Sequence, residues 1–274
     1  MKERPTSSRP PRRRPGGSFS SGRASPAGRP SAGADDGDRA VLYGWHPVVE
    51  ALRNPRRTLR RLLATENALR RLSDEIPDLP VRPEIVRPGD IDRLLPPDAV
   101  HQGLYLEAAP IPSSTIETLG AGALVLALDQ ITDPHNVGAI VRTAAAFGAE
   151  AILTTARHSP AATGVLAKAA SGGLEHVPFL VVRNLAEALL ALGERGFHRV
   201  GLDSGGATPL EDLPLRRPLV LVLGAEGKGL RRRTLASCDA AARLDMPGAI
   251  KSLNVSNAAA LALYAAHRRL GSQA

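Results

Sequence analysis

The chain has 274 residues, 43% hydrophobic but only 3% aromatic, so it can build one large or two modest domains around Ala, Val, Leu and Ile. One cysteine, Cys238, excludes an intrachain disulfide and a cysteine-rich metal site; no histidines pair at metal-ligand spacing, and no run approaches the roughly 18 apolar residues of a membrane span. The formal net charge of +8 is concentrated, because residues 1–30 hold eight basic residues against Glu3 alone.

Residues 1–38 are Arg, Pro, Ser and Gly with almost nothing to bury, and are expected to form a disordered tail. Such a tail either holds polyanions loosely through phosphate contacts or is a solvated extension with no specific role. A mitochondrial transit peptide is a third reading, which the prolines and the missing apolar face argue against. A reducing, cytoplasmic setting fits the cysteine usage.

A small α/β module is expected over 41–108. Pro47–Leu52 reads as a helix, Arg60–Leu63 as a strand, Asn67–Leu72 as a helix and Arg82–Val86 as a strand. Asp90–Leu95 follows as a helix and His101–Leu106 as a strand. Residues 109–122, rich in Pro, Ser and Gly, form a linker. A second domain, 123–274, alternates strands (Leu124–Leu128, Ala151–Thr154, Val177–Val182, Arg199–Leu202, Leu219–Leu223, Ala241–Leu244) with helices (Val137–Phe147 closed by Gly148, Thr163–Ala170, Leu185–Arg195, a short one from Leu230, Val255–Leu270). That alternation predicts an α/β fold with a parallel sheet covered on both faces.

Three segments put polar groups where a buried strand ends or a helix begins, which is where open α/β sheets carry ligands. The first runs from Asp129 through Asn136, Val137 and Gly138 to Arg142. Asn136 is placed to cap the helix, which is a sufficient structural account of it, and Gly138 lets another chain approach closely. Arg142 sits in an otherwise apolar helix, either on a solvated face or in a site. The second is Gly224-Ala225-Glu226-Gly227-Lys228-Gly229, which matches neither the Walker nor the dinucleotide spacing. Its Glu226 carboxylate suits an amine, a guanine edge or a cation. The third is Leu244-Asp245-Met246-Pro247-Gly248, leading to Ser252-Leu253-Asn254-Val255-Ser256. Capping by Ser252 or Asn254 is its ordinary reading, but three small polar groups crowd one helix start.

Together and in this order, the three segments resemble the SpoU–TrmH RNA ribose methyltransferases. Tyr43-Gly44-Trp45-His46-Pro47-Val48, His101-Gln102-Gly103 and Lys168-Ala169-Ala170-Ser171-Gly172-Gly173 extend the resemblance over about 41–270. It implies a small N-terminal RNA-binding domain (L30e-like), then a catalytic domain whose C-terminal segment forms a trefoil knot and binds S-adenosylmethionine. It also implies a homodimer with the active site at its interface. The family's reaction-centre residues map onto Arg142, Asn136, Glu226, Asn254 and Ser256. Its cofactor contacts map onto Gly224, Leu244, Met246 and Leu253, with Asp203-Ser204 as further contributors; no metal is implied. The family usually has Pro between the equivalents of Leu244 and Met246, where this chain has Asp245.

The expected reaction is methylation of an RNA ribose 2'-hydroxyl, with a guanosine of 23S rRNA the leading substrate. Arginine stays protonated in proteins, so Arg142 suits phosphate binding and oxyanion stabilisation better than proton removal. The alternatives within the same chemistry are a tRNA or an antibiotic-resistance rRNA methyltransferase. From another class comes a non-catalytic RNA-binding ribosome-assembly factor, which would have no use for all five reaction-centre residues.

Overall fold

The computed structural model describes residues 39–111, 114–157 and 164–271. The expected disordered tail, 1–38, and the expected helix start at Thr163 lie outside them. No helix among the described residues is long and apolar enough to cross a membrane.

The front module runs β1 (Ala40–Tyr43), α1 (Trp45–Arg53), β2 (Leu59–Ala64), α2 (Glu66–Glu75), β3 (Pro83–Ile85), α3 (Pro88–Asp92) and β4 (Leu104–Ala108). Its sheet order is β1-β4-β2-β3, antiparallel except for the β2–β3 pair. The sequence pattern missed β1. Its turn into α1 is fixed by Gly44, whose φ of +88° favours glycine, and by Gln102, whose Oε1 accepts the Trp45 N–H at 2.8 Å. Trp45, Leu62, Leu72, Leu104 and Leu106 are buried in the module's core.

After a 3-10 turn at Ile116–Thr118 comes a parallel α/β layer: β5 (Leu124–Asp129), α4 (Pro134–Ala146), β6 (Ala151–Thr155), α5 (Gly164–Ala170), β7 (Phe179–Val182), α6 (Leu185–Glu194) and β8 (His198–Leu202). It continues with β9 (Thr208–Pro209), β10 (Leu219–Gly224), α7 (Arg232–Ala236), β11 (Ala240–Arg243) and α8 (Val255–Gly271). The sheet order is β7-β6-β5-β10-β8-β11-β9, and every neighbouring pair is parallel. Strand alternation divides the core between the two faces. Leu124, Leu126 and Leu128 share a cluster with α4 and α8, whereas Val125 and Ala127 pack with Leu185, Leu189 and Leu192 of α6. Burial pushes the Cys238 thiol up to about 12, which makes it a packing group and not a nucleophile.

One expectation is corrected. Asn136 does not cap α4: Asp133 does, its side chain accepting the His135 N–H at 3.1 Å, with Pro134 at the first helical position. Asn136 therefore lies in the first turn, with its side chain free for other partners. Gly138 is taken up by packing within the chain, since a Cβ there would lie 2.3 Å from the Ala169 Cβ of α5.

The two sheets are joined by apolar and ionic contacts. Ala167 of α5 is buried in the front module's core. The Glu175 carboxylate, 4% exposed, lies 2.5 Å from the Arg57 guanidinium and accepts the Asn54 Nδ2 at 2.7 Å. Removing one partner of a buried pair strands the other charge. Arg57→Ala is therefore expected to lower the unfolding free energy by about 3–5 kcal/mol in denaturant titrations, and a loss near zero would contradict a joint of this kind.

Candidate active site

β10 lies between β5 and β8, so the chain's direction across the sheet reverses at β5/β10, and such switch points open a crevice at the carboxyl edge. Register places Gly224, the last residue of β10, beside Asp129, the last of β5. Two loops and the first turn of α4 meet there.

The loop after β10 folds back on itself. Ala225 and Gly229 form a bridge, with the Gly229 N–H donating to the Ala225 carbonyl at 2.9 Å. A Cβ on Gly224 would fall 2.2 Å from the Gly229 carbonyl carbon, so only glycine fits. Beyond the turn, buried Asp129 secures the chain: its Oδ2 accepts the Arg231 N–H at 3.0 Å and its Oδ1 the Arg231 Nε at 2.7 Å.

Glu226 is held at the tip of this loop, where its Oε1 gathers three donors. Asn136 Nδ2 donates at 3.1 Å, Asn254 Nδ2 at 2.8 Å and the Val255 N–H at 3.1 Å. The last contact sets a carboxylate against the first N–H of α8, where the helix dipole favours it. Asn254 Nδ2 also donates to Asn136 Oδ1 at 2.9 Å. Its Oδ1 accepts both the Ser256 N–H at 2.9 Å and the Ser256 hydroxyl at 2.5 Å. Asn254 therefore caps α8 and belongs to the network at the same time. Asn136, Glu226, Asn254 and Ser256 form one connected set.

Arg142 stands apart. Six residues beyond Asn136 on α4, it is turned about 240° around the helix axis from it. Its side chain is exposed and has no hydrogen bond or ion pair with the described residues. Its backbone is packed against Gly173, where a Cβ would lie 3.2 Å from the Arg142 Cα.

Beside the network is a cavity of about 270 Å³ whose lining includes Gly224, Leu244, Met246 and Leu253, together with Asp203 and Ser204. Leu202, Leu223 and Val255 add apolar wall. Lys251 Nζ donates to the Met246 carbonyl at 2.5 Å and pins the Pro/Gly loop over this cavity. Sequence reading assigned no role to Asp129 or Arg231. A carboxylate ending a run of buried aliphatic residues was the available signal, but its partner is 102 residues away.

The SpoU rRNA Methylase family matches residues 123–264, and the family described as RNA 2'-O ribose methyltransferase substrate binding matches residues 41–113. The chain belongs to the SpoU rRNA methylase family. An uncharacterized tRNA/rRNA methyltransferase of Mycobacterium avium is 36% identical over 250 residues, covering 87% of this chain and 80% of that protein. The 23S rRNA (guanosine-2'-O-)-methyltransferase RlmB of a Burkholderia species is 44% identical over 154 residues, 56% of this chain and 62% of that one. The crystal structure of the SpoU methyltransferase AviRb from Streptomyces viridochromogenes, in complex with AdoMet, shares the fold. Its TM-score is 0.72 at 24% identity, over 85% of this chain and 90% of that one. This SpoU-family chain is thus an RNA methyltransferase with a substrate-binding module in front of its catalytic sheet.

Because only glycine fits at 224, Gly224→Ala must displace the backbone of 229–230. The expected cost is about 1–3 kcal/mol of stability, read by denaturant unfolding, with a shifted loop in a crystal structure of the variant. An unshifted loop at parental stability would refute the packing described.

Proposed function

We propose that the chain transfers a methyl group from S-adenosylmethionine to the 2'-hydroxyl of a guanosine in 23S rRNA, acting as a cytoplasmic homodimer whose C-terminal segment is threaded as a trefoil knot. The observation that carries this reading is the convergence of Asn136, Glu226, Asn254 and Ser256 beside the cavity of Gly224, Leu244, Met246 and Leu253. The rRNA guanosine is supported by the likeness to the RlmB protein, and the tRNA alternative by the mixed tRNA/rRNA name of the mycobacterial relative.

The cavity suits the cofactor's chemistry. Leucine and valine side chains offer an apolar wall to a purine, Asp203 and Ser204 offer acceptors to ribose hydroxyls, and the glycine loop leaves backbone groups within reach. When bound, S-adenosylmethionine supplies an electrophilic methyl group on a positively charged sulfur. The protein's task is to align the hydroxyl and to stabilise the charge that develops on its oxygen. Glu226 fixes the Asn136 and Asn254 amides, which leaves ribose and phosphate a prepared set of polar atoms. Ser256, held by Asn254, sits at the start of α8, whose dipole favours an anion. Arg142, permanently charged, pairs with phosphate and the 2'-oxyanion. Its separation from the network within one chain supports a site completed at the interface between two copies.

The test is methyl transfer from labelled cofactor to total RNA lacking the modification, followed by mapping of the methylated ribose. Label at one guanosine of large-subunit rRNA is the expected result, label confined to tRNA would overturn the substrate, and no label on any RNA would overturn the activity. In the same assay Arg142→Ala is expected to lose at least about a hundredfold in turnover while binding cofactor as the parent does. Near-parental turnover would remove Arg142 from the mechanism.

A further inference from the structure

A second, larger cavity of about 970 Å³ opens at the carboxyl edge of the same sheet, on the α6–α7 face. Arg157, Arg183, Arg231, Arg232 and Arg233 line it, against a single acidic residue, Glu187. Arg231 is engaged by Asp129. The side chains of the other four arginines make no hydrogen bond or ion pair with the described residues, and all four are exposed. The first turn of α6 forms part of the wall, with Asn184 as its cap accepting the Ala186 N–H at 3.1 Å. Four exposed guanidinium groups around one concave site make it strongly electropositive and suited to an anion.

Two threonines lie beneath the arginines. Thr155, 6% exposed at the end of β6, and Thr234, 1% exposed in α7, both belong to this cavity's wall. Each has a buried Oγ1 without a hydrogen-bond partner among the described residues. Both oxygens are closed off from solvent and so from the open cavity, and recognition there falls to the exposed guanidinium groups. A group that suits several arginines at one concave site is anionic, rich in acceptor oxygens and matched to the planar guanidinium fork, which describes a phosphate.

We propose that this cavity is a docking pocket for a backbone phosphodiester of the substrate RNA, away from the reacting nucleotide. The proposal rests on the RNA methyltransferase reading. Placement favours RNA over a free phosphate. The pocket's floor at β6 lies two strand positions from β10, about 10 Å along the edge that carries the Glu226 network. Arg231 spans the two regions, following the glycine loop on one side and lining the arginine pocket on the other. A strand with its ribose over β5/β10 can run along this edge and place a neighbouring phosphate among the arginines. Recognition of this kind fixes register without reading sequence.

The test compares Arg183→Gln with Arg232→Gln, as a double variant, against a matched loss of charge at the opposite, amino edge of the sheet, Arg216→Gln with Arg217→Gln. RNA binding is measured across a salt series, and KM and kcat are measured for methyl transfer. The pocket pair is expected to raise Kd and KM for RNA about tenfold and to flatten the salt slope by about 0.7 per phosphate lost, with cofactor affinity unchanged. The amino-edge pair is expected to stay within about twofold of the parent. Equal losses in the two pairs would reduce the pocket to a general positive field and overturn it, as would parental Kd and slope in the pocket pair. Phosphorus NMR with inorganic phosphate separates the sources. Phosphate that binds the parent, is lost in the pocket pair and is not displaced by RNA would overturn the RNA assignment. If the parent methylates RNA and the pocket pair is unaltered, only the pocket fails; if the parent neither binds nor methylates RNA, the functional reading fails with it.

Discussion

The insertion of β10 between β5 and β8 is the constraint on which the site depends. A parallel strand in that position brings Gly224 level with Asp129, although 94 intervening residues have already built β6, β7 and β8. All six residues of β10 pair with β5, and five of them also pair with β8, so the seam is held on both sides. Its fully buried aliphatic run has no solvent-facing alternative, which pins the register, because a slip of one residue would exchange the two core faces. The glycine loop emerges from this seam at a height fixed by hydrogen bonding, and Asp129 then fastens the chain again at Arg231.

Above that seam the network is economical in atoms. One carboxylate oxygen of Glu226 takes donors from α4, from the segment before α8 and from the α8 backbone. Charge-assisted bonds of this kind are the stronger class, and sharing one acceptor locks three chain segments into one geometry. Asn254 shows that capping a helix and joining this network are compatible. Its carbonyl end satisfies the start of α8, which leaves its amide end no choice of orientation, and that end meets Glu226 and Asn136. The orientation of that amide follows from a local requirement of the helix.

Most of the catalytic layer was legible from hydrophobic runs and the glycines between them, because buried parallel strands such as Leu124–Leu128 and Leu219–Leu223 read as continuous aliphatic segments. Two short strands escaped. β1 has only four residues and β9 only two, too few for a period to show. The Asn136 cap was misread because Asp133 and Asn136 are both good caps at helical spacing. Pro134 decides between them, since it is tolerated in the first turn and leaves Asp133 to close the end. The residues Asn136, Glu226 and Asn254 were visible as motif members, but that they share one oxygen is a tertiary fact no spacing encodes. The arginine pocket was invisible for the same reason. Arg157 and Arg183 come from two separate loops and Arg232 from the start of α7, and in sequence each is an unremarkable surface charge.

The turn after α5 has a more far-reaching part in the design than its size suggests. Gly173 lies against the backbone of Val141 and Arg142, while Glu175, two residues on, is buried against Arg57 and Asn54 of the front module. Gly172 closes on Glu50, whose carboxylate also meets His176 at 2.9 Å. One short segment therefore touches the helix that presents Arg142 and the module that matches the RNA substrate-binding family. A buried ion pair is a poor source of net stability, but it tolerates little displacement, because any opening exposes a charge to an apolar wall without its partner. The front module is consequently not a freely swinging arm. The backbone at Arg142 and the ion pair that fastens the front module are thus held within three residues of one another along the chain, at Gly173 and Glu175.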